Sequence, residues 1–212
     1  GAEWEHFTAD TVGYAPVPSA QAFSPGDRFH FNGLAMEALD TRGHSPGHTA
    51  FYFPEDQILF CGDMGIDRFG PWYAWPNCDL VALVGSLLRM RGLPLKLLVT
   101  SHGGMVDADF EAVWTRAIRQ VLEREARLEG DIEAGRSREA IVSEGIFFTQ
   151  KGKVPEPMRS FLFMWDEITY DHHRNVLDQG GLTTFFPELG VLAAKARDRV
   201  DNQPSGTEIN AA

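Results

Sequence analysis

Three short stretches of this chain each place a metal-capable side chain, flanked by glycine, just past an apolar run. They are Thr41-Arg42-Gly43-His44-Ser45-Pro46-Gly47-His48-Thr49, Leu59-Phe60-Cys61-Gly62-Asp63 and Leu98-Val99-Thr100-Ser101-His102-Gly103-Gly104. Neutral imidazole and ionised carboxylate are ligands for zinc and iron. An apolar run of this length reads as a strand, and glycine lets the chain turn sharply where the strand ends. Side chains at several strand exits gather on one edge of a sheet. The pattern therefore predicts a sheet whose edge carries His44, Asp63 and His102 around one metal site. His48 lies four residues beyond His44 and reads as the residue that orients this loop from behind rather than as a ligand. Each motif alone has a plainer reading: a loop histidine bonded to backbone, a Gly-Asp turn, a capping histidine. It is their joint occurrence that favours the metal.

Composition narrows the partners. The net charge is -11, whereas phosphate-binding surfaces are basic, so nucleic acid and anionic membranes are not expected. The 212 residues are 43% hydrophobic and 23% charged, ordinary globular material. There is no apolar run near 18 residues and no signal-peptide pattern. The first residue is glycine, which reads as a processed, tagged or truncated start. Two cysteines, Cys61 and Cys78, make no disulfide framework. Cys61 sits in an apolar strand as a small hydrophobe, and a reducing, cytoplasmic setting is expected.

Along the chain, Arg28 to Phe31, Asn32-Gly33 and Leu34 to Leu39 read as a hairpin, because Asn-Gly supplies the positive φ of a two-residue turn. Thr49 to Phe53 and Ile58 to Cys61 form a second hairpin. Residues 64–78 are a long loop rich in aromatics, glycine and proline. A helix is predicted from Asp79 to Met90, with Leu80, Leu83, Val84, Leu87 and Leu88 on one face. Leu95 to Val99 reads as a short strand buried on both faces. A long helix follows from Asp109 to Leu128, with Phe110, Val113, Trp114, Ala117 and Val121 as its apolar stripe. Further helices start near Ser137, a candidate N-cap, and near Pro157, the latter with Phe161, Met164, Trp165 and Ile168 inward. The glycine-rich stretch at 130–152 separates these from the part before it, and the end of the chain from Asp201 is polar and expected to fray.

The three motifs resemble the C-terminal half of the metallo-β-lactamase-fold hydrolase superfamily. Thr41 to His48 matches its Thr-x-Gly-His loop, Cys61-Gly62-Asp63 its strand ending in Gly-Asp, and Ser101-His102-Gly103 its strand ending in His-Gly. The order agrees, as do the separations of 19 and 39 residues (44 to 63 and 63 to 102). Arg42 stands where the family usually has proline. The resemblance covers Phe23 to Val106. It implies an α/β fold, a partial αββα sandwich over residues 1–130; the chain's own pattern adds a helical appendage at 131–200 and a disordered tail at 201–212. The resemblance also implies two divalent metal ions, zinc foremost with iron and manganese as alternatives. His44 would ligate the first ion, Asp63 would bridge both and act as the catalytic carboxylate, and His102 would ligate the second. The implied chemistry is cleavage of an ester, thioester, lactone or related bond by metal-bound hydroxide.

The family's other signature, His-x-His-x-Asp-His, does not occur in these residues. The nearest string is Thr169-Tyr170-Asp171-His172-His173, which lies in a helical pattern. His172 and His173 therefore read as helix-surface or interface residues. The chain by itself is expected to bind metal poorly and to be inactive. In the aromatic loop, Phe69, Trp72, Tyr73 and Trp75 read either as a packed cover for the sheet or as the apolar wall of a pocket for a small-molecule substrate. A non-catalytic binding or dimerisation module on the same fold is the alternative function, with a homodimer formed through the helical appendage as one arrangement.

Overall fold

A computed structural model describes residues 21–66, 70–149, 151–156 and 158–202, together with Asp10 and Gly13. Strands β1 (Arg28–Phe31), β2 (Leu34–Asp40), β3 (Thr49–Phe53), β4 (Ile58–Phe60), β5 (Leu97–Val99) and β6 (Met105–Val106) lie in one sheet in sequence order. All neighbours are antiparallel except β4 and β5, which are parallel. The parallel pair needs a crossover, and helix α1 (Leu80–Arg91) supplies it. Both expected hairpins are present. Asn32 and Gly33 take φ of 50° and 82° at the first turn.

The register sorts the side chains into two unlike faces. Tyr52, Leu59 and Leu98 stand opposite one another across β3, β4 and β5 and are buried. With Ala50 they meet Leu83, Leu87 and Met90 of α1 and Trp114 and Ile118 of α2 (Phe110–Glu133) in the main core. The other face carries Phe29, Met36, Phe51, Phe60, Val99 and Met105. It is apolar as well, yet Phe60 and Met105 are exposed, as are Phe31 and Leu34 at its β1–β2 end and Phe23 packed against Phe29 and Phe51. The strand at 97–99 is therefore not buried on both sides, as its sequence suggested; Leu98 is inside, while Leu97 and Val99 are half-buried.

Helix α1 starts where Asp79 caps the amide of Ala82. Its buried face is close to the expected one, with Ser86 and Met90 added and Leu88 only half-buried. Helix α2 is longer than expected, and from Gln120 to Glu125 every residue is buried. A helix buried all round lies between other elements. Here helices α4 (Met158–Leu177) and α6 (Gly190–Asp201) pack along it. The predicted boundary at 130 falls inside α2. One core also takes residues from both sides of that boundary, including Phe147, Val176, Leu182 and Ala196. Ser137 caps α3 (Arg138–Glu144) as expected, and α5 (Leu182–Phe185) follows α4. Residues 203–212 of the tail lie outside the described residues.

Helix α4 turns a different face inward from the one its hydrophobic spacing indicated. Leu162, Asp166, Thr169, His173 and Val176 are buried, while Phe161 is exposed and Met164, Trp165 and Ile168 are half-buried. This is a rotation by one residue. Asp166 meets buried Lys151, and His173 Nε2 meets the Tyr73 hydroxyl, with Glu125 3.9 Å from His173 Nδ1. His173 is thus a core residue, not a surface one. His172 sits nearer the surface, with Nε2 2.9 Å from the Trp75 carbonyl oxygen.

Candidate metal centre

The loop after β2 is clamped to α1. The Asp79 amide donates to the Gly43 carbonyl, the Ser86 hydroxyl to that of Arg42, and the Cys78 thiol to that of His44. Gly43 has φ of 133°, and a Cβ there would sit 2.2 Å from the Leu83 amide nitrogen. Only glycine permits this approach. Arg42 pairs with Asp40 at 2.6 Å, which gives its charge a partner beside the strand end.

The clamp presents two histidines in different roles. Nδ1 of His44 lies 3.0 Å from the Trp72 carbonyl oxygen and donates its proton there, which leaves the Nε2 lone pair free. His48 Nε2 instead accepts the backbone N–H of Asp63 at 3.1 Å, and its Nδ1 lies 3.1 Å from the Thr41 carbonyl. Both nitrogens are committed, so His48 holds the Asp63 loop in place and has no lone pair for a metal. Burial, aided by the neighbouring His44, pushes its pKa below the usual histidine value, consistent with this neutral form. Gly62 makes room for it, because a Cβ there would come within 2.8 Å of Nε2.

The two imidazoles from the other strand exits approach Asp63 from its two oxygens. His102 Nε2 is 3.2 Å from Asp63 Oδ1, and His44 Nε2 is 3.9 Å from Asp63 Oδ2. Asp63 Oδ1 is buried and accepts no hydrogen bond among the described residues. A buried carboxylate oxygen left without a donor costs free energy, and a cation satisfies it. Ligands about 2 Å from one zinc lie roughly 3.3 Å apart, so the His102–Asp63 spacing suits a shared ion. The donor chemistry therefore fits a divalent metal, with one imidazole on each side of one carboxylate. The number does not suffice for a catalytic zinc, which has three protein ligands. Among the described residues no three His, Cys, Asp or Glu side chains close on one point.

Beside Asp63 lies a cleft of about 470 Å³. His44, Asp63 and His102 line one side, and Ile66, Trp72, Phe147 and Phe148 line much of the rest. Of the four predicted wall residues, Trp72 is there. Tyr73 is fully buried beneath the loop, with its hydroxyl 2.8 Å from His173 Nε2, and Trp75 is exposed away from the cleft. Phe69 lies outside the described residues. Phe147 and Phe148, which follow α3 at the Gly145 turn, were not singled out from sequence. Their run, Ile146-Phe147-Phe148, is too short to show a period. Cys61, two residues before Asp63, is no nucleophile: burial pushes its thiol up to about 12.

Residues 3–102 match the family profile described as the metallo-beta-lactamase superfamily. An atrochrysone carboxyl ACP thioesterase of Aspergillus fumigatus is 28% identical over 162 residues, 71% of this chain and 49% of its own. A hydroxyacylglutathione hydrolase of Ruegeria pomeroyi is 44% identical over 108 residues, 47% of this chain and 42% of its own. The chain thus spans about half the length of these curated relatives. Among solved structures, a beta-lactamase domain protein of Burkholderia ambifaria aligns with a TM-score of 0.62 at 21% identity, over 85% of this chain and 52% of that one. A metallo-beta-lactamase family protein of Thermus thermophilus aligns with a TM-score of 0.58 at 21% identity, over 84% and 59%. Over residues 3–102, which include His44, Asp63 and His102, the chain matches the metallo-beta-lactamase superfamily, and its fold is that of solved structures so described.

Proposed function

We propose that the protein acts as the metal-binding and acyl-binding part of a metal-dependent hydrolase whose substrates are thioesters or related acyl compounds. The observation that carries this is Asp63 set between two imidazole Nε2 atoms, with one buried oxygen lacking a hydrogen-bond donor, at the side of an apolar cleft. The relatives named as a thioesterase and a hydroxyacylglutathione hydrolase support acyl-bond cleavage. His44 and Asp63 would hold one ion, and Asp63 and His102 the second. Divalent ions bound there would acidify water and polarise the scissile carbonyl.

The chain's own residues do the rest. The Trp72 carbonyl fixes the His44 tautomer. His48 anchors the Asp63 backbone, so the carboxylate is aimed before any ligand arrives. Ile66, Trp72 and the two phenylalanines exclude bulk water from the acyl group, which strengthens electrostatic interactions at the bond to be cut. Zinc is the first candidate ion, as the donors are nitrogen and carboxylate oxygen. The ligands still needed for three per ion fit the His-x-His-x-Asp-His pattern, which this sequence does not contain. No described helix is long and apolar enough to cross a membrane. Both cysteines are free and buried, which suits a reducing compartment.

Elemental analysis for metal, with hydrolysis of a thioester, ester, lactone and phosphodiester panel, tests the reading on this chain and on a longer chain that carries the missing pattern. Two ions and chelator-sensitive thioester cleavage by the longer chain, with little metal on the 212-residue chain, are expected. A longer chain that is metal-free and inactive would overturn the proposal in favour of a binding module.

A further inference from the structure

The far wall of the cleft comes from the helical part of the chain and is held there by buried charge. The Phe147 amide donates to Asp166 Oδ1 at 2.7 Å. Asp166 is fully buried and pairs with Lys151 at 2.5 Å, and Lys151 also donates to the Val142 carbonyl. The Arg124 guanidinium lies 3.8 Å from the centre of the Phe147 ring, a cation–π contact that fixes the ring's plane. Phe147 and Phe148 are thereby set in place rather than left on a loose loop.

From Phe148 an unbroken aromatic surface leads back to the metal edge. The Phe148 ring is 5.7 Å from Trp165, Trp165 is 5.8 Å edge-on from Trp72, and Trp72 is 5.5 Å from His44. Trp72 and Phe148 both line the cleft, with Trp165 packed against each. The Thr100 hydroxyl, which also lines the cleft, is already engaged: it donates to the Gly104 carbonyl and accepts the Gly103 amide.

Building on the hydrolase reading, we propose that Trp72 and Phe148 form an acyl slot that selects a bulky acyl group bearing an aromatic ring over a small hydroxyacyl group. A cleft of about 470 Å³ is far larger than a three-carbon acyl group needs. A ring in the slot gains apolar burial and edge or offset stacking on both residues. A hydroxyl there would lose water and find ring faces instead of a partner, and sites that leave a hydroxyl unpaired discriminate against it. Phe148 is thus a specificity-determining residue contributed by the helical part of the chain.

The test needs neither metal nor turnover. The 212-residue chain is titrated with 2-naphthamide and with lactamide, uncharged mimics of a ring-bearing and a hydroxyacyl group, and binding is read by ligand-detected NMR. Saturable binding of naphthamide and none of lactamide over the same range is expected. Phe148→Ala should weaken naphthamide about tenfold, the scale of a lost aromatic contact plus its burial. Phe148→Leu keeps apolar volume without a ring and should weaken it severalfold; circular dichroism confirms that both variants fold. Absence of naphthamide binding, equal binding of lactamide, or wild-type affinity in either variant would overturn the proposal. Such a failure leaves metal binding and hydrolysis of a small thioester untouched, whereas loss of those in the longer chain would defeat the hydrolase reading and leave the slot standing.

Discussion

Asp63 and Asp166 are both carboxylates beside a basic group, yet they do opposite work. Asp63 lies at a strand exit, with a partly exposed side chain, two imidazoles nearby, and one oxygen that no hydrogen bond reaches. Asp166 lies on a helix inside the protein, its oxygens filled by Lys151 and the Phe147 amide. The same contrast divides His44, with a free Nε2 aimed at the cleft, from His173, sealed behind Tyr73. At the sheet edge, binding capacity is left unused; in the helical part, it holds the chain together. Access from the cleft, rather than residue type or an unsatisfied lone pair alone, separates a site from a brace, since buried His173 Nδ1 and Glu125 Oε2 also lack hydrogen-bond partners among the described residues.

Substitutions should keep these two behaviours apart. In the longer chain that carries the His-x-His-x-Asp-His pattern, removing the edge carboxylate with Asp63→Ala should lower zinc affinity, measured by competition with a chromogenic chelator, by more than about 100-fold. Even residues that merely orient metal ligands are worth 10–100-fold. Its unfolding free energy should stay within about 0.5 kcal/mol of wild type. A large drop in stability would erase the distinction. Asp166→Ala should do the reverse. It strands a buried ammonium at Lys151, so chemical denaturation should show a loss of about 3–5 kcal/mol. An unchanged midpoint would show that Asp166 is no brace.

His48 sits between the two classes, half-buried and bonded to the edge. In the same longer chain, His48→Ala should cut metal affinity by roughly 10–100-fold through misplacement of the Asp63 backbone, and His48→Gln, which can still accept that amide, should recover part of the loss. Equal losses in both variants would point to direct ligation instead.

Acid should find the braces first. Burial lowers the pKa of His173 below the ordinary histidine value, against the pull of Glu125, whose carboxylate is 3.9 Å from Nδ1. The unfolded chain takes up a proton below about pH 6.5 and the folded chain resists it, so stability is whole above that pH and falls below it. One such group contributes at most about 2 kcal/mol between pH 6.5 and pH 5. His48, also lowered by burial, adds in the same sense. His173→Gln keeps a partner for Tyr73 without titrating, and should flatten the dependence of the melting temperature on pH. The same slope in the variant would assign the effect elsewhere.

The edge was legible in the sequence because its signals are local. A strand, a glycine and a ligand-type side chain lie within a few residues, and Asn32-Gly33 names its own turn. Helix starts at Asp79 and Ser137 were legible for the same reason. What escaped was decided by distant partners. Nothing near Asp166 announces Lys151, and nothing near Tyr73 announces His173, 100 residues away. Counting apolar residues thus put Trp165 inside α4 and Asp166 outside, one position from the truth. The cleft wall at Phe147 and Phe148 escaped because its position depends on that same ion pair. Strand β6, two residues long, has no period to read.

The second face of the sheet has a consequence for how the molecule behaves in bulk. Phe23, Phe31, Leu34, Phe60 and Met105 each present between 38% and 73% of their surface to water, grouped on one side rather than scattered. A patch of this kind makes stability a property of the solution as well as of the fold. Whatever covers it adds RT ln(1 + [L]/Kd), so the melting point climbs with the concentration of the covering species.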